Sequence, residues 1–289
     1  MIAVYNLEPK YFNLALEKVR KFYEIQSEKV EDYKPLWHDK YDKIYCSSIF
    51  TWTDKSSVTS DMICGGTGFD LTTELPHRIE QIKVIKNRGF TTRGCIRNCP
   101  FCVVPKKEGK LRRDDHIVSF WDGKSEVVEL YDNNWLADKE WFLRNSEYAI
   151  IAGIKIKEHG MDIRLVDDEI ARQLKRIRWA GRLHFAWDQM NSERAIGRGV
   201  KWLKKYGINN CLFYILVNYD TTLEEDLYRR NKINEWGYDA FVMVYDKPNA
   251  SELIREFARW NNRFCFRNLS FCNYLKARNL NELVLKEGK

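Results

Sequence analysis

From residue 88 onward, short runs of β-branched and aromatic residues recur with one amphipathic stretch between each and the next, and this alternation most tightly limits the fold. The runs lie at 89–92, 126–131, 161–166, 183–187, 211–218 and 238–245. Six strands separated by helices predict a parallel α/β sheet, curled or barrel-like, because parallel neighbours need a crossover long enough to hold a helix. The intervening stretches read as scaffold. The segment 167–177, for example, opens on acids and closes on bases as the helix dipole favours. The first eighty residues repeat the pattern on a smaller scale, with strands at 2–5, 43–50 and near Met62 and a helix at 11–23. The pattern breaks at Glu74-Leu-Pro76, and 76–88 reads as a connection. The expected organisation is therefore a small α/β domain at 1–82 and a larger one at 83–289.

Composition excludes several classes of protein. With 289 residues, 44% of them apolar, the chain can bury a substantial core. The longest apolar run, 211–217, is far shorter than a bilayer span, and no basic region precedes an apolar stretch at the start. Neither a membrane anchor nor a signal peptide is expected. Eight cysteines, three of them within eight residues, are too few and too uneven for a secreted disulfide framework and fit a reducing cytoplasm. The net charge of +7 is spread along the chain. Basic residues do gather at Lys106, Lys107, Lys110, Arg112 and Arg113 and again over 175–182, which admits a phosphate-bearing substrate such as a nucleotide or nucleic acid, or an ordinary solvated surface.

The chemistry concentrates in Thr91-Thr-Arg-Gly-Cys95-Ile-Arg-Asn-Cys99-Pro-Phe-Cys102, directly after the first strand of the larger domain. Gaps of three and two residues let one loop wrap a [4Fe-4S] cubane, with Cys95, Cys99 and Cys102 each supplying a thiolate and one iron left open. Gly94 gives the loop room to turn, and Phe101 sets a ring beside the cluster. The plainer alternatives are a zinc site completed by His116 and three unmetallated cysteines.

This spacing, with an aromatic residue before the last cysteine, resembles the radical S-adenosylmethionine superfamily. The resemblance implies that residues 83–246 form a partial (β/α)6 barrel. It likens residues 1–80 to a shortened, Rossmann-like form of the domain that precedes the barrel in cobalamin-dependent members, and the whole chain to short phage and anaerobe proteins. It implies an enzyme that cleaves S-adenosylmethionine reductively to a 5′-deoxyadenosyl radical, with a one-electron donor such as flavodoxin or ferredoxin. It also assigns the methionyl end of S-adenosylmethionine to a polar motif after the second strand, where this chain has Tyr131-Asp132-Asn133-Asn134. Asp132 and Asn133 are the expected contacts, although such a motif also makes a strand-to-helix turn.

Asp162 and Arg164, alternating about Ile163, would point to one face of a third strand, toward the cofactor or into a mutual salt bridge. Asp188, Asn218 and Asp246 stand at later strand ends, as cofactor contacts or helix caps. The sequence has no Asp-x-His-x-x-Gly, since Asp114-Asp-His116 lacks the glycine, so the expectation is that cobalamin is absent or bound without histidine ligation. Gly65-Gly-Thr-Gly68 reads as a turn or a ligand-facing loop. Cys265 and Cys272, with Cys46, Cys64 and Cys211, admit a second cluster or plain buried thiols. The last ten residues, 280–289, read as a short helix that frays. Two other classes stay open: an iron–sulfur protein that does not cleave S-adenosylmethionine, and a zinc-dependent nucleic-acid-binding protein.

Overall fold

The computed structural model describes residues 1–280 and residue 282, and the chain divides into two compact units, Met1–Ser125 and Glu126–Lys289. The helix expected at 280–289 lies almost entirely outside the described residues.

The first unit opens with β1 (Ile2–Asn6), followed by α1 (Leu14–Ile25), β2 (Val30–Asp32), β3 (Lys43–Ser47) and β4 (Ile63–Gly65). The four strands form one parallel sheet in the order β2-β1-β3-β4. Strand periodicity explains its two faces. Ile2, Val4 and Tyr45 pack with Leu16, Val19 and Tyr23 of α1 on one side, while Ala3, Ile44 and Cys46 join Met62 on the other. Helix α1 starts later than its apolar spacing suggests because Asn13 caps it, its side-chain oxygen accepting from Leu16 N at 3.2 Å.

Strand β3 ends at Ser47 rather than residue 50, and the cause is the carboxylate of Glu8. It accepts from Ser48 Oγ at 2.9 Å, Ile49 N at 3.0 Å, Phe50 N at 3.2 Å and Thr53 Oγ1 at 2.5 Å, which bends the chain away from the ladder. After β4, Gly66 adopts φ +96°, and a Cβ there would stand 2.4 Å from Ser48 O. Only glycine fits this turn.

The stretch expected as a plain connection contains α2 (His77–Glu80), and it leads to β5 (Arg88–Gly89) and β6 (Thr92–Arg93). The cysteine loop, α3 (Val104–Lys107) and β7 (Arg112–Arg113) follow, with β7 antiparallel to β6.

In the second unit β8 (Val127–Leu130), α4 (Lys139–Ile151), β9 (Lys155–Lys157), α5 (Asp168–Arg176) and β10 (Arg178–Trp179) come first. Then follow β11 (Leu183–Ala186), α6 (Glu193–Lys205), β12 (Cys211–Val217), α7 (Leu223–Glu235), β13 (Asp239–Val244), α8 (Glu252–Asn262) and α9 (Phe271–Ala277). Strands β8, β9 and β10 are parallel neighbours, as are β11, β12 and β13, and a single parallel bridge joins Met161 to Phe185.

The third strand of the larger sheet is displaced from its expected place. It runs over Lys155–Lys157, whereas Ile163–Leu165 is a single 3-10 turn, because the side chain of Asp162 accepts from Arg164 N at 3.0 Å and folds the backbone back. Helix α6 then packs tightly over this turn. A Cβ at Gly199 would lie 2.3 Å from Ile163 O. The outer strand β13 is covered by amides of α8: Asn262 both donates to Val242 O (2.9 Å) and accepts from Val242 N (2.8 Å), and Asn261 donates to Ala240 O (2.7 Å). Asn261 and Asn262 thus close a sheet edge. No helix among the described residues is long and apolar enough to cross a membrane.

Candidate functional site

The cysteine loop of the first unit leaves β6 through Gly94, whose φ of +73° and tight surroundings exclude any side chain. A Cβ there would stand 2.3 Å from Lys110 O. Glu108, just beyond the loop, ties its stem. One carboxylate oxygen accepts from Gly94 N at 2.9 Å and the other pairs with Arg93 at 3.1 Å, while Arg93 also lies 3.6 Å from Asp114 and covers the Phe90 ring at 3.7 Å. Cys95 forms a bridge with Lys110, Cys102 N donates to Cys99 O at 3.0 Å, and all three cysteines and Phe101 are half-buried. Arg97 N donates to Cys95 Sγ at 3.3 Å. Backbone amides aimed at sulfur are a usual support for cluster thiolates.

Three soft donors in one loop with such an amide fit an iron–sulfur cluster. Among the described residues, however, no three His, Cys, Asp or Glu side chains are gathered into a metal-holding group, so the thiols share a loop without forming a closed cage. His116, the possible zinc ligand, uses Nδ1 to accept from Val118 N at 3.3 Å and caps a 3-10 turn.

In the second unit, polar residues converge at the carboxyl ends of β8, β9 and β11. Asp132 is buried, and Asn133 stands half-buried beside it. Their neighbour Asn134, which the sequence reading passed over as a contact, is the link. Its Oδ1 accepts from Asp162 N at 3.0 Å, and its Nδ2, also buried, has no acceptor. Asp162 and Arg164 form the bidentate salt bridge weighed above, at 2.7 and 2.9 Å.

Asp188 lies close enough to Arg164 and Asp162 for their charges to act on it. Burial pushes its carboxyl above the usual range, against the opposing pull of the Leu216 amide and of the Arg229 and Arg164 charges. Arg229 itself is wholly buried. It donates to Trp187 O and Leu216 O, both at 2.7 Å, to Thr221 Oγ1 at 3.2 Å and to Asp226, and so fixes the ends of β11 and β12. Nothing in a helical Asp-Leu-Tyr-Arg pattern signals such a role.

The sequence matches no protein-family model, and no curated protein matches it. The fold is similar to that of a radical S-adenosylmethionine methyltransferase. TsrM from Kitasatospora setae, solved with cobalamin and a [4Fe-4S] cluster bound, superposes with a TM-score of 0.63 at 11% identity, covering 84% of this chain and 74% of that one. A second structure of TsrM, with tryptophan substrate and the S-adenosylmethionine analogue aza-SAM bound, gives 0.61 at 11% identity over 83% and 72%. At that identity the likeness is one of fold.

The remaining candidates have local roles in the structure. Asn218, at φ +65°, donates to Tyr245 O at 2.9 Å, and Asp246 accepts from Asn249, so both serve turns. The second basic cluster is spent within its unit: Arg176 pairs with Glu147 at 2.6 Å, Arg178 donates to Gly153 O at 2.8 Å, and Arg182 pairs with Asp239 at 2.9 Å. Cys211 is buried in β12, Cys265 is half-buried and Cys272 is exposed on α9. Two polar pairings that the sequence reading missed also lie along these strands. Glu129 accepts from Lys157 at 2.6 Å and His159 at 2.8 Å, and buried Glu158 accepts from His184 N at 2.6 Å and contacts its Nδ1 at 3.1 Å.

Proposed function

We propose that this chain is a radical S-adenosylmethionine enzyme whose Cys95, Cys99 and Cys102 hold a [4Fe-4S] cluster. The observation that carries the reading is the three-cysteine loop, with its glycine stem and its amide on Cys95 Sγ, in a chain whose fold resembles a solved enzyme of this kind. When bound, such a cluster supplies one electron to S-adenosylmethionine and so makes its C5′–S bond cleavable.

The chain's own residues do the rest. Glu108 and Arg93 fix the stem of the loop, and the half-buried Phe101 would shield the cluster from water. Asp132, Asn133, Asn134, Asp162, Arg164 and Asp188 supply polar contacts for S-adenosylmethionine. The unpaired Nδ2 of Asn134 is a donor awaiting an acceptor such as a carboxylate. Asp162 and Arg164, paired with each other in this structure, carry the charges complementary to the ammonium and carboxylate of an α-amino acid. The partial barrel, a flavodoxin- or ferredoxin-class donor and an unassigned substrate, a nucleotide or nucleic acid or a peptide, belong to the same reading.

Anaerobically purified protein should hold about four iron and four sulfide per chain. Alanine at Cys95, Cys99 or Cys102 should abolish this, whereas Cys265→Ala and Cys272→Ala should not. Reduced protein given S-adenosylmethionine should release 5′-deoxyadenosine and methionine. Asp132→Ala should keep its iron and weaken S-adenosylmethionine binding by about 1.5–3 kcal/mol, roughly ten- to hundredfold. Iron retained in all three cysteine variants, or a loaded and reduced protein whose spectrum S-adenosylmethionine does not perturb, would overturn the reading.

A further inference from the structure

The first unit contains a cavity of about 260 Å³ whose walls all come from that unit. One side is the carboxyl edge of its sheet, at Ser47 and Gly65-Gly66, the place where parallel α/β sheets usually receive ligands. The floor is apolar, made by Leu16 and Val19 of α1 with Leu75. Tyr45, Cys46 and Ser47 of β3 continue the wall, beside Cys64 and Gly65 of β4.

Charge is confined to the rim, and its pairing is uneven. Glu80 is occupied by Lys18 at 2.7 Å, and Glu108 by Arg93 and the Gly94 amide. Lys107 and Arg112 instead donate to backbone carbonyls, of Thr73 at 2.9 Å and Glu108 at 2.6 Å, and the other rim carboxylate, Glu74, is exposed. The rim thus offers two cations whose charges no carboxylate pairs with in these contacts, above an apolar floor. The volume falls just below the range usual for small-molecule sites, about 300–1,000 Å³, and so suits a small ligand.

We infer that this cavity is a binding site for a small amphipathic anion, its carboxylate or phosphate head on Lys107 and Arg112 and its apolar stem against Leu16, Val19 and Leu75. The inference is independent of the cluster. It calls for no iron and makes no use of the cysteine loop's thiols.

The test is methyl NMR of the full chain, with the methyls of Leu16, Val19, Ile63 and Leu75 assigned. Phenyl phosphate and 3-phenylpropanoate probe the two kinds of head, inorganic phosphate lacks the stem, and benzyl alcohol lacks the charge. The expected result is saturable shifts at these methyls with at least one amphipathic anion, about tenfold weaker binding in Lys107→Met and in Arg112→Met, and unchanged binding in Cys99→Ala. Stronger binding of the phosphate than of the carboxylate would assign a phosphate ester, and the reverse a carboxylic acid. Ala15→Leu, which fills the cavity from α1, should remove the shifts while leaving the fold intact by circular dichroism. The proposal fails if neither amphipathic anion shifts these methyls at millimolar concentration, if benzyl alcohol binds as well as they do, or if hydroxocobalamin rather than a small anion saturates the site.

Discussion

Replacing Arg229 with methionine tests how the strand ends of the second unit are held. The guanidinium is fully buried, fixes two backbone carbonyls on different strands, and pairs with an equally buried Asp226. Methionine removes all of these bonds at once and strands the Asp226 carboxylate, whose second oxygen already lacks a partner. Removing one member of a buried pair costs about 3–5 kcal/mol, mostly as the penalty of the uncompensated charge. At about 2–4 °C per kcal/mol for a large domain, the midpoint of thermal unfolding should fall by roughly 6–20 °C.

The origin of the loss can be checked with a second substitution and with pH. Burial raises the Asp226 carboxyl in the folded chain, and losing Arg229 raises it further. An acid raised on folding adds stability below its unfolded value and loses it as pH rises through the folded value. The gap between Arg229→Met and the parent should therefore widen from acid to neutral pH. The double variant Arg229→Met, Asp226→Leu should recover much of the loss, because two apolar groups replace the pair. Urea unfolding of the three proteins at several pH values decides the matter. A loss under about 1 kcal/mol in the single variant, or a double variant as unstable as the single, would refute the reasoning.

Three further substitutions separate backbone constraint from charge. Gly109→Ala meets open space at φ +74° and should cost about 1–2 kcal/mol for conformation alone. Gly94→Ala adds a clash with Lys110 O and should cost clearly more in urea unfolding and lower the iron content, so equal costs would show that the loop stem is looser than its contacts imply. Asp188→Asn keeps an oxygen for the Leu216 amide while removing a carboxylate that burial raises. Its stability should match or exceed the parent's at neutral pH and converge with it below the ordinary aspartate value of 3.8. A clear loss at neutral pH would show that the charge of Asp188 is needed by the fold.

The sequence by itself determined the chemistry-bearing loop and the alternation of strands and helices. Both are local properties: thiolate spacing and side-chain period are carried by neighbouring residues. Strands such as β12, apolar throughout with one face buried and the other half-buried, were therefore legible. Only tertiary structure decided where strands stop and which polar groups meet. Glu8 ends β3 from forty residues away, and Asp162 turns residues 163–165 out of the strand that their apolar character suggests. Asn134, Arg229 and the cavity behind Lys107 and Arg112 depend on bonds between segments far apart in the chain. A buried hydrogen bond is satisfied by whatever the fold brings within reach, so neither its partner nor the orphaned donor of Asn134 can be read from a residue's neighbours in sequence.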